Sequence, residues 1–392
     1  MDPVKSREDS RRESRKRVKI YIGVETEAPL AVIKRNIYTQ EDELLRNGKE
    51  LVELCVLLQN EGFDIYSCPI DEDRDPKKWA VTYDSSIEVG TELQGVGAPI
   101  EIKSPILAVD NLRYEDKFRT LWRVIEPFKI PSIEYWKMAS THIHFSLNGT
   151  PQFRLEIAQN LAFCIVYFEQ AITDLVPAMT HKSDMKRRGG WKNCRYHKKN
   201  SVRPKWNDRE PLNDLHSCWN AILGVRSIQE LFELFCYDTD LYRRTHGLQT
   251  KNWKWNFKGV KYETIEFRQM PPSRSAQETL DWISFTTGFV RAAAGIDRVL
   301  LSMASQGEIS FTEALGLPLS VPQKEQQAAE KLWAYDLHLN GITVAELAKF
   351  VPCEQGVWDR ISQTRDQIEA ELAMLPNPKN ELPTRLPAWI GL

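Results

Sequence analysis

No apolar run in this 392-residue chain approaches the ~20 residues that a membrane span needs. Residues 1–19 are charged where a secretory leader would be apolar. Cysteine is present in no useful pattern. Its 7 positions, Cys55, Cys68, Cys164, Cys194, Cys218, Cys236 and Cys353, are odd in number and contain no CxxC pair. That argues against a disulfide frame or a cysteine zinc site, and for reduced thiols in a cytoplasmic protein. An excess of one charge is also missing: 52 Lys and Arg stand against 54 Asp and Glu, a net of −2. Such a balance does not draw the protein to nucleic acid or to a membrane surface, so neither is an expected partner. No internal repeat is visible. The glycines Gly90, Gly95 and Gly97 include a GVG, but no helix follows it, so the stretch reads as turn chemistry rather than a nucleotide loop.

What the sequence does have is alternation. Residues 1–18 mix Arg, Lys, Ser, Glu and Asp without periodicity and are expected to form a disordered tail. KIYIGVETE (19–27) then sets Ile20, Ile22 and Val24 on one face and Glu25 and Glu27 on the other. WAVTYDSSIE (79–88) and APIEIKSPIL (98–107) read as the arms of a hairpin, with Glu101 and Lys103 opposite Ile100 and Ile102. STHIHFSL (140–147) sets His142 and His144 against Ile143 and Phe145. A second hairpin, 253–258 with 261–268, ends in Thr264–Ile265–Glu266–Phe267–Arg268, where Glu266 and Arg268 share a face. Each strand alone also fits a solvent-facing edge. Helical patterns separate them at 39–62, 111–128, 153–175, 212–223, 227–236 and 275–303, and continue at 322–340, 344–351 and 356–374.

Hairpins dominate this order, which predicts an α+β fold: a largely antiparallel sheet with helices on its apolar face. If the polar faces line one concave surface, they gather four Glu, two His and one Arg. Carboxylates so crowded raise one another's pKa unless cations lie among them. Oxygen ligands favour Mg²⁺ or Mn²⁺, and such sites serve phosphoryl transfer. Segment 181–209 carries 11 Lys and Arg against two Asp, with Trp191, Tyr196 and Trp206 interleaved. It fits a lid over an acidic or phosphorylated small molecule, a nucleic-acid contact, or a solvated loop.

GVETE, WAVTYDSSIE, PIEIKSP, THIHF and TIEFR, in this order, resemble the amidoligase family. That family is an outlying branch of the carboxylate–amine ligases with the glutamine synthetase and γ-glutamylcysteine synthetase fold. The resemblance runs from Lys19 to Met303. It implies a curved antiparallel sheet of the glutamine synthetase catalytic type that holds ATP with Mg²⁺ (or Mn²⁺). It also implies an ATP-dependent ligase joining a carboxylate to an amine through an acyl phosphate. By the family pattern Glu25, Glu27, Glu101, His142 and Glu266 are metal ligands, His142 having a phosphate contact as its alternative role. His144, Asn256 and Arg268 bind the nucleotide, with Arg268 at the γ-phosphate. Asp84 and Glu88 bind or deprotonate the amine.

Two departures stand out. Ala139-Ser140 replaces the Cys-Gly often found before the His motif, and IKSP brings Lys103 to a position where Val or Ile is common. The expected organisation is a tail (1–18), a catalytic domain (19–305) with 181–209 as its lid, and a helical C-terminal extension (306–392) packed on that domain. Two other readings remain open at this point. One is a non-catalytic relative that binds a nucleotide or a partner. The other is a Zn or Fe enzyme built on His142, His144 and one Glu.

Overall fold

The structure is a computed structural model that describes residues 19–31, 43–67, 75–84, 97–111, 113–136, 139–147, 151–177, 215–235, 254–257, 264–318, 322 and 342–374. The expected tail, the basic segment 181–209, Glu88 and most of the helix expected over 322–340 lie outside the described residues.

The strands are β1 (Ile20–Ala31), β2 (Ile65–Ser67), β3 (Trp79–Tyr83), β4 (Gly97–Lys103), β5 (Leu107–Ala108), β6 (Thr141–Leu147), β7 (Trp255–Asn256) and β8 (Thr264–Phe267). They form one open sheet in the order β2–β3–β4–β1–β6–β8–β7, with β5 alongside β1. Every pairing is antiparallel except β2 with β3. The described helices are α1 (Glu43–Asn60), α2 (Arg113–Ile125), α3 (Ile133–Trp136), α4 (Pro151–Tyr167), α5 (Glu169–Asp174), α6 (Leu215–Gly224), α7 (Ile228–Phe235), α8 (Ala276–Ala294), α9 (Arg298–Ser305), α10 (Phe311–Ala314), α11 (Val344–Phe350) and α12 (Gln355–Ala373). The architecture is therefore mixed α+β, as the hairpin-rich order suggests.

One sheet face is apolar because each strand alternates with period two. Ile20, Ile22 and Val24 of β1, Ile100 and Ile102 of β4, Ile143 and Phe145 of β6 and Phe267 of β8 are all buried in the main core. Helix α8 lies over them. The rings of Phe267 and Trp282 sit 5.9 Å apart, those of Trp255 and Phe289 5.5 Å apart. From α2, Trp122 Nε1 donates to Thr279 Oγ1 of α8 at 3.0 Å. Helix α12 covers the far side of α8, where Trp358 meets Phe285 edge-on at 5.4 Å and Arg360 forms a fork with the Asp281 carboxylate.

The helix expected over 153–175 divides at Phe168 into α4 and α5, and two further boundaries differ from the sequence pattern for identifiable reasons. The helix expected over 275–303 is two helices. Ser275 caps α8 by accepting the Glu278 N–H, Gly295 closes it, and Asp297 starts α9 by accepting the Val299 N–H. The hairpin arm expected over 98–107 breaks at Ser104-Pro105. Pro105 has no N–H for a ladder. Ser104 completes the local pairing by donating its own N–H to Val24 O at 2.8 Å and accepting the Val24 N–H at its Oγ at 2.9 Å. Beyond the break β5 returns to β1.

Candidate functional site

The other sheet face is polar, and strand register assembles it. Residues paired across neighbouring strands point to the same side of a sheet. In β1, Glu25 lies opposite both Lys103 of β4 and His142 of β6, Glu27 opposite Glu101, and Gly23 opposite His144. His144 lies opposite Glu266, which lies opposite Asn256, and Thr82 of β3 lies opposite Glu101. Asp84, just past β3, hydrogen-bonds through its N–H to Pro99 O at 3.0 Å and so joins the same row. Glu25, Glu27, Glu101, His142, His144, Glu266, Arg268, Asn256 and Asp84 thus share one deck on the sheet.

The deck divides into two groups whose potential ligand atoms lie within 4.8 Å of one another: Glu25, His144 and Glu266, and beside them Glu27, Asp84 and Glu101. In the first group His144 Nε2 stands 3.3 Å from Glu25 and 3.7 Å from Glu266. His142 sits at the seam, with Nδ1 3.6 Å from Glu25, 3.9 Å from Glu27 and 3.5 Å from Glu266. Its other nitrogen, Nε2, is 2.8 Å from Ser140 Oγ. Ser140 has no part in the motif roles above, but it lies two residues before His142 at the entry to the strand, which is the sequence signal for such a contact. Glu266 is held on both oxygens, by the Asn256 amide at 2.8 Å and by an ion pair to Arg268. Lys103 Nζ lies 3.0 Å from Glu101 and 4.0 Å from Glu25, bridging the two groups.

Protonation differs sharply between the groups. Burial pushes the Glu25 carboxyl up. The charge of His144, hydrogen bonds from both histidines and the charge of Lys103 more than offset this and hold it well below the usual range. Burial likewise pushes Glu266 up, but Arg268 and then the two histidines bring it below normal. In the second group burial wins. Glu27 is raised well above the usual range by desolvation and by the charge of Asp84, which a hydrogen bond from Ser140 only partly offsets. Glu101 is raised to about 8 by burial and the Glu25 charge, despite Lys103. Burial and the Arg268 charge lower His142; for His144 the Glu25 and Glu266 charges overcome burial and raise it.

These residues fit divalent cations. Glu27 Oε2 is buried and accepts no hydrogen bond among the described residues. Burial raises the pKa of both Glu27 and Glu101, and a divalent cation beside them would favour their ionised forms. Oxygen is the prevailing donor, which suits Mg²⁺ or Mn²⁺. Both histidines stand beside the same two carboxyl groups, Glu25 and Glu266.

The fold is thus an open α+β sheet with a cluster of carboxylates and histidines on one face. A sequence profile for the family described as "Putative amidoligase enzyme" matches residues 15–290, and the chain belongs to that family. Membership suggests a ligase. No curated protein sequence matches the chain. Among solved structures, a bifunctional glutathione synthetase from Pasteurella multocida aligns at 10% identity with a TM-score of 0.33. That alignment covers 94% of this chain and 53% of the synthetase, and at so low a TM-score it carries no argument.

Proposed function

We propose that this protein is an ATP-dependent carboxylate–amine ligase that makes an amide bond through an acyl phosphate. The observation that carries the proposal is the register of six strands, which brings the described motif residues of the amidoligase family onto one polar deck. On this reading the sheet is of the glutamine synthetase catalytic type, and ATP lies across the deck.

Glu25, Glu27, Glu101, His142 and Glu266 hold Mg²⁺ or Mn²⁺, with His144 and Asp84 close enough to complete the two groups. When bound, the metal neutralises phosphate charge. Arg268 meets the γ-phosphate, for which its pairing with Glu266 orients the guanidinium. Asn256 fixes the other Glu266 oxygen, so that the carboxylate presents its remaining lone pairs in one direction.

In the first step a substrate carboxylate oxygen bonds to the γ-phosphorus and the bond to ADP breaks. In the second the amine nitrogen bonds to the acyl carbon, phosphate leaves with its electron pair, and the nitrogen gives up a proton. Asp84 lies nearest to Glu27 and Glu101, and accepts that proton or binds the ammonium beforehand; Glu88 shares this role. The described cysteines, Cys55, Cys164, Cys218 and Cys353, form no disulfide with one another, and with ATP as co-substrate they support a cytoplasmic location. On this reading the described helices between 306 and 374 buttress the catalytic domain, 19–305.

The test is a matrix of carboxylates against amines, scored for ADP release in Mg²⁺. The expected result is release that rises only when one carboxylate and one amine are both present. Tight ATP binding without turnover across a broad matrix would show instead a non-catalytic relative.

A further inference from the structure

Lys103 does not behave like a surface lysine. Its side chain is only 5% exposed, and it stands on the polar deck between Glu101 at 3.0 Å and Glu25 at 4.0 Å. Those two carboxylates belong to different ligand groups, Glu101 with Glu27 and Asp84, Glu25 with His144 and Glu266. The register fixes this placement: Lys103 is two residues from Glu101 along β4 and directly across from Glu25 in β1. Five carboxylates, Glu25, Glu27, Glu101, Asp84 and Glu266, share the deck with two permanent side-chain cations, Lys103 and Arg268. Arg268 is committed to Glu266. Lys103 is the permanent cation that lies within 4.0 Å of a carboxyl group from each of the two groups.

We propose that Lys103 is a built-in cation, occupying with its ammonium the position between Glu25 and Glu101 where a divalent ion would otherwise bridge the two groups. The proposal rests on the reading of the deck as a cation site. It adds that this chain holds one divalent ion fewer than its carboxylates would otherwise take. A buried ammonium 3.0 Å from Glu101 and 4.0 Å from Glu25 repels a divalent ion from that spot and supplies part of the charge that the ion would bring. Buried Glu27 Oε2, which accepts no hydrogen bond among the described residues, marks where the second group still takes an ion of its own.

The test is Lys103→Met, an unbranched neutral side chain of similar reach, compared with wild type and with the double variant Glu101→Gln/Lys103→Met. Each is purified with and without Mn²⁺. Mn²⁺ stoichiometry is read by titration with electron paramagnetic resonance, and thermal stability is followed in EDTA and in Mn²⁺. The expected result is that Lys103→Met binds one more Mn²⁺ than wild type. Its Tm in EDTA should fall by roughly 5–10 °C, because a buried pair has lost one partner, and Mn²⁺ should restore most of the loss. The double variant, with both charges gone, should return to wild-type stoichiometry.

Recovery of Lys103→Met as folded protein only when Mn²⁺ is present also supports the proposal. Unchanged stoichiometry in folded Lys103→Met overturns it. So does a Lys103→Met protein that fails to fold even in Mn²⁺ while the double variant folds. None of these readings requires turnover. An inactive wild type with this metal behaviour would overturn the ligase reading alone, and an active wild type without it would overturn this proposal alone.

Discussion

Ser140 and His142 show how single side chains tune the deck. His142 is buried, and its Nε2 meets Ser140 Oγ at 2.8 Å, which turns Nδ1 towards Glu25, Glu27 and Glu266. Ser140→Ala removes this partner. A stability loss of ~1–3 kcal/mol follows from leaving a buried nitrogen unsatisfied, measurable by denaturant titration. A loss of ~10–100-fold in Mn²⁺ affinity follows if the ring's orientation matters to the ion, as outer hydrogen-bond partners of ligands typically do. The protonation pattern gives a second expectation. Glu101, at about 8, and Glu27 both bind protons more tightly in the folded protein than in the unfolded chain. His144 does the same. Groups with raised folded pKa contribute stability at low pH and lose it as pH rises through that pKa. His142, being lowered, opposes them only below pH 6.5, its ordinary value. Glu25 and Glu266, also lowered, act only below 4.5. The metal-free protein should therefore lose thermal stability between about pH 6.5 and 8, and Mn²⁺ should flatten that slope. A metal-free Tm that climbs across this window would show that Glu101 and Glu27 are already ionised.

The short edge of the sheet depends on an anchor behind it. Strands β7 and β8 are two and four residues long, yet they carry Asn256 and Glu266 and lead to Arg268. Lys254, fully buried, forms an ion pair with Glu169 of α5 and donates to Thr173 Oγ1 at 2.7 Å, while Gln269 Nε2 reaches the same hydroxyl at 3.0 Å. The Lys254 carbonyl also accepts the Arg268 N–H at 2.9 Å. Thus the chain entering β7 and the chain leaving β8, side by side at one end of the pair, are both tied to one helix. Lys254→Met leaves Glu169 buried without its charge partner and should cost ~3–5 kcal/mol. The added change Glu169→Leu should recover most of that, as seen in paired denaturation curves.

The elements also show what the sequence could and could not reveal. Alternation was legible because period two is local, so the faces of β1, β4, β6 and β8 could be read from Glu25, Glu101, His142 and Glu266. Their neighbours could not. Nothing in KIYIGVETE says that it lies between β4 and β6, or that Asp84 ends beside Glu27 rather than apart from the acidic row. The break at Ser104-Pro105 and the restart at Asp297 lie in side-chain hydrogen bonds that short patterns do not carry.

The apolar core connects the deck to the far C-terminal helices. Buried residues from Ile20 to Leu372 belong to one cluster, and Trp358 of α12 packs on Phe285 of α8, whose own ring lies 6.5 Å from that of Phe267 under the deck. Arg274 with Glu371 and Arg360 with Asp281 tie the same helices together. Trp358→Ala should therefore destabilise the fold by ~3–5 kcal/mol. A single cooperative transition is expected, with near-ultraviolet dichroism and activity lost together. Two separate transitions would mean that α12 folds independently of the sheet.

The most direct measurement is calorimetric titration with a non-hydrolysable ATP analogue, for wild type and Glu266→Gln, in Mg²⁺ and in EDTA. Binding should require Mg²⁺ in wild type. It should weaken at least ~10-fold in Glu266→Gln, which keeps the shape of the side chain but loses the charge that would help to hold a divalent ion. Binding that is equal in EDTA, or untouched by Glu266→Gln, would mean that the acidic deck is not where ATP and its metal are held.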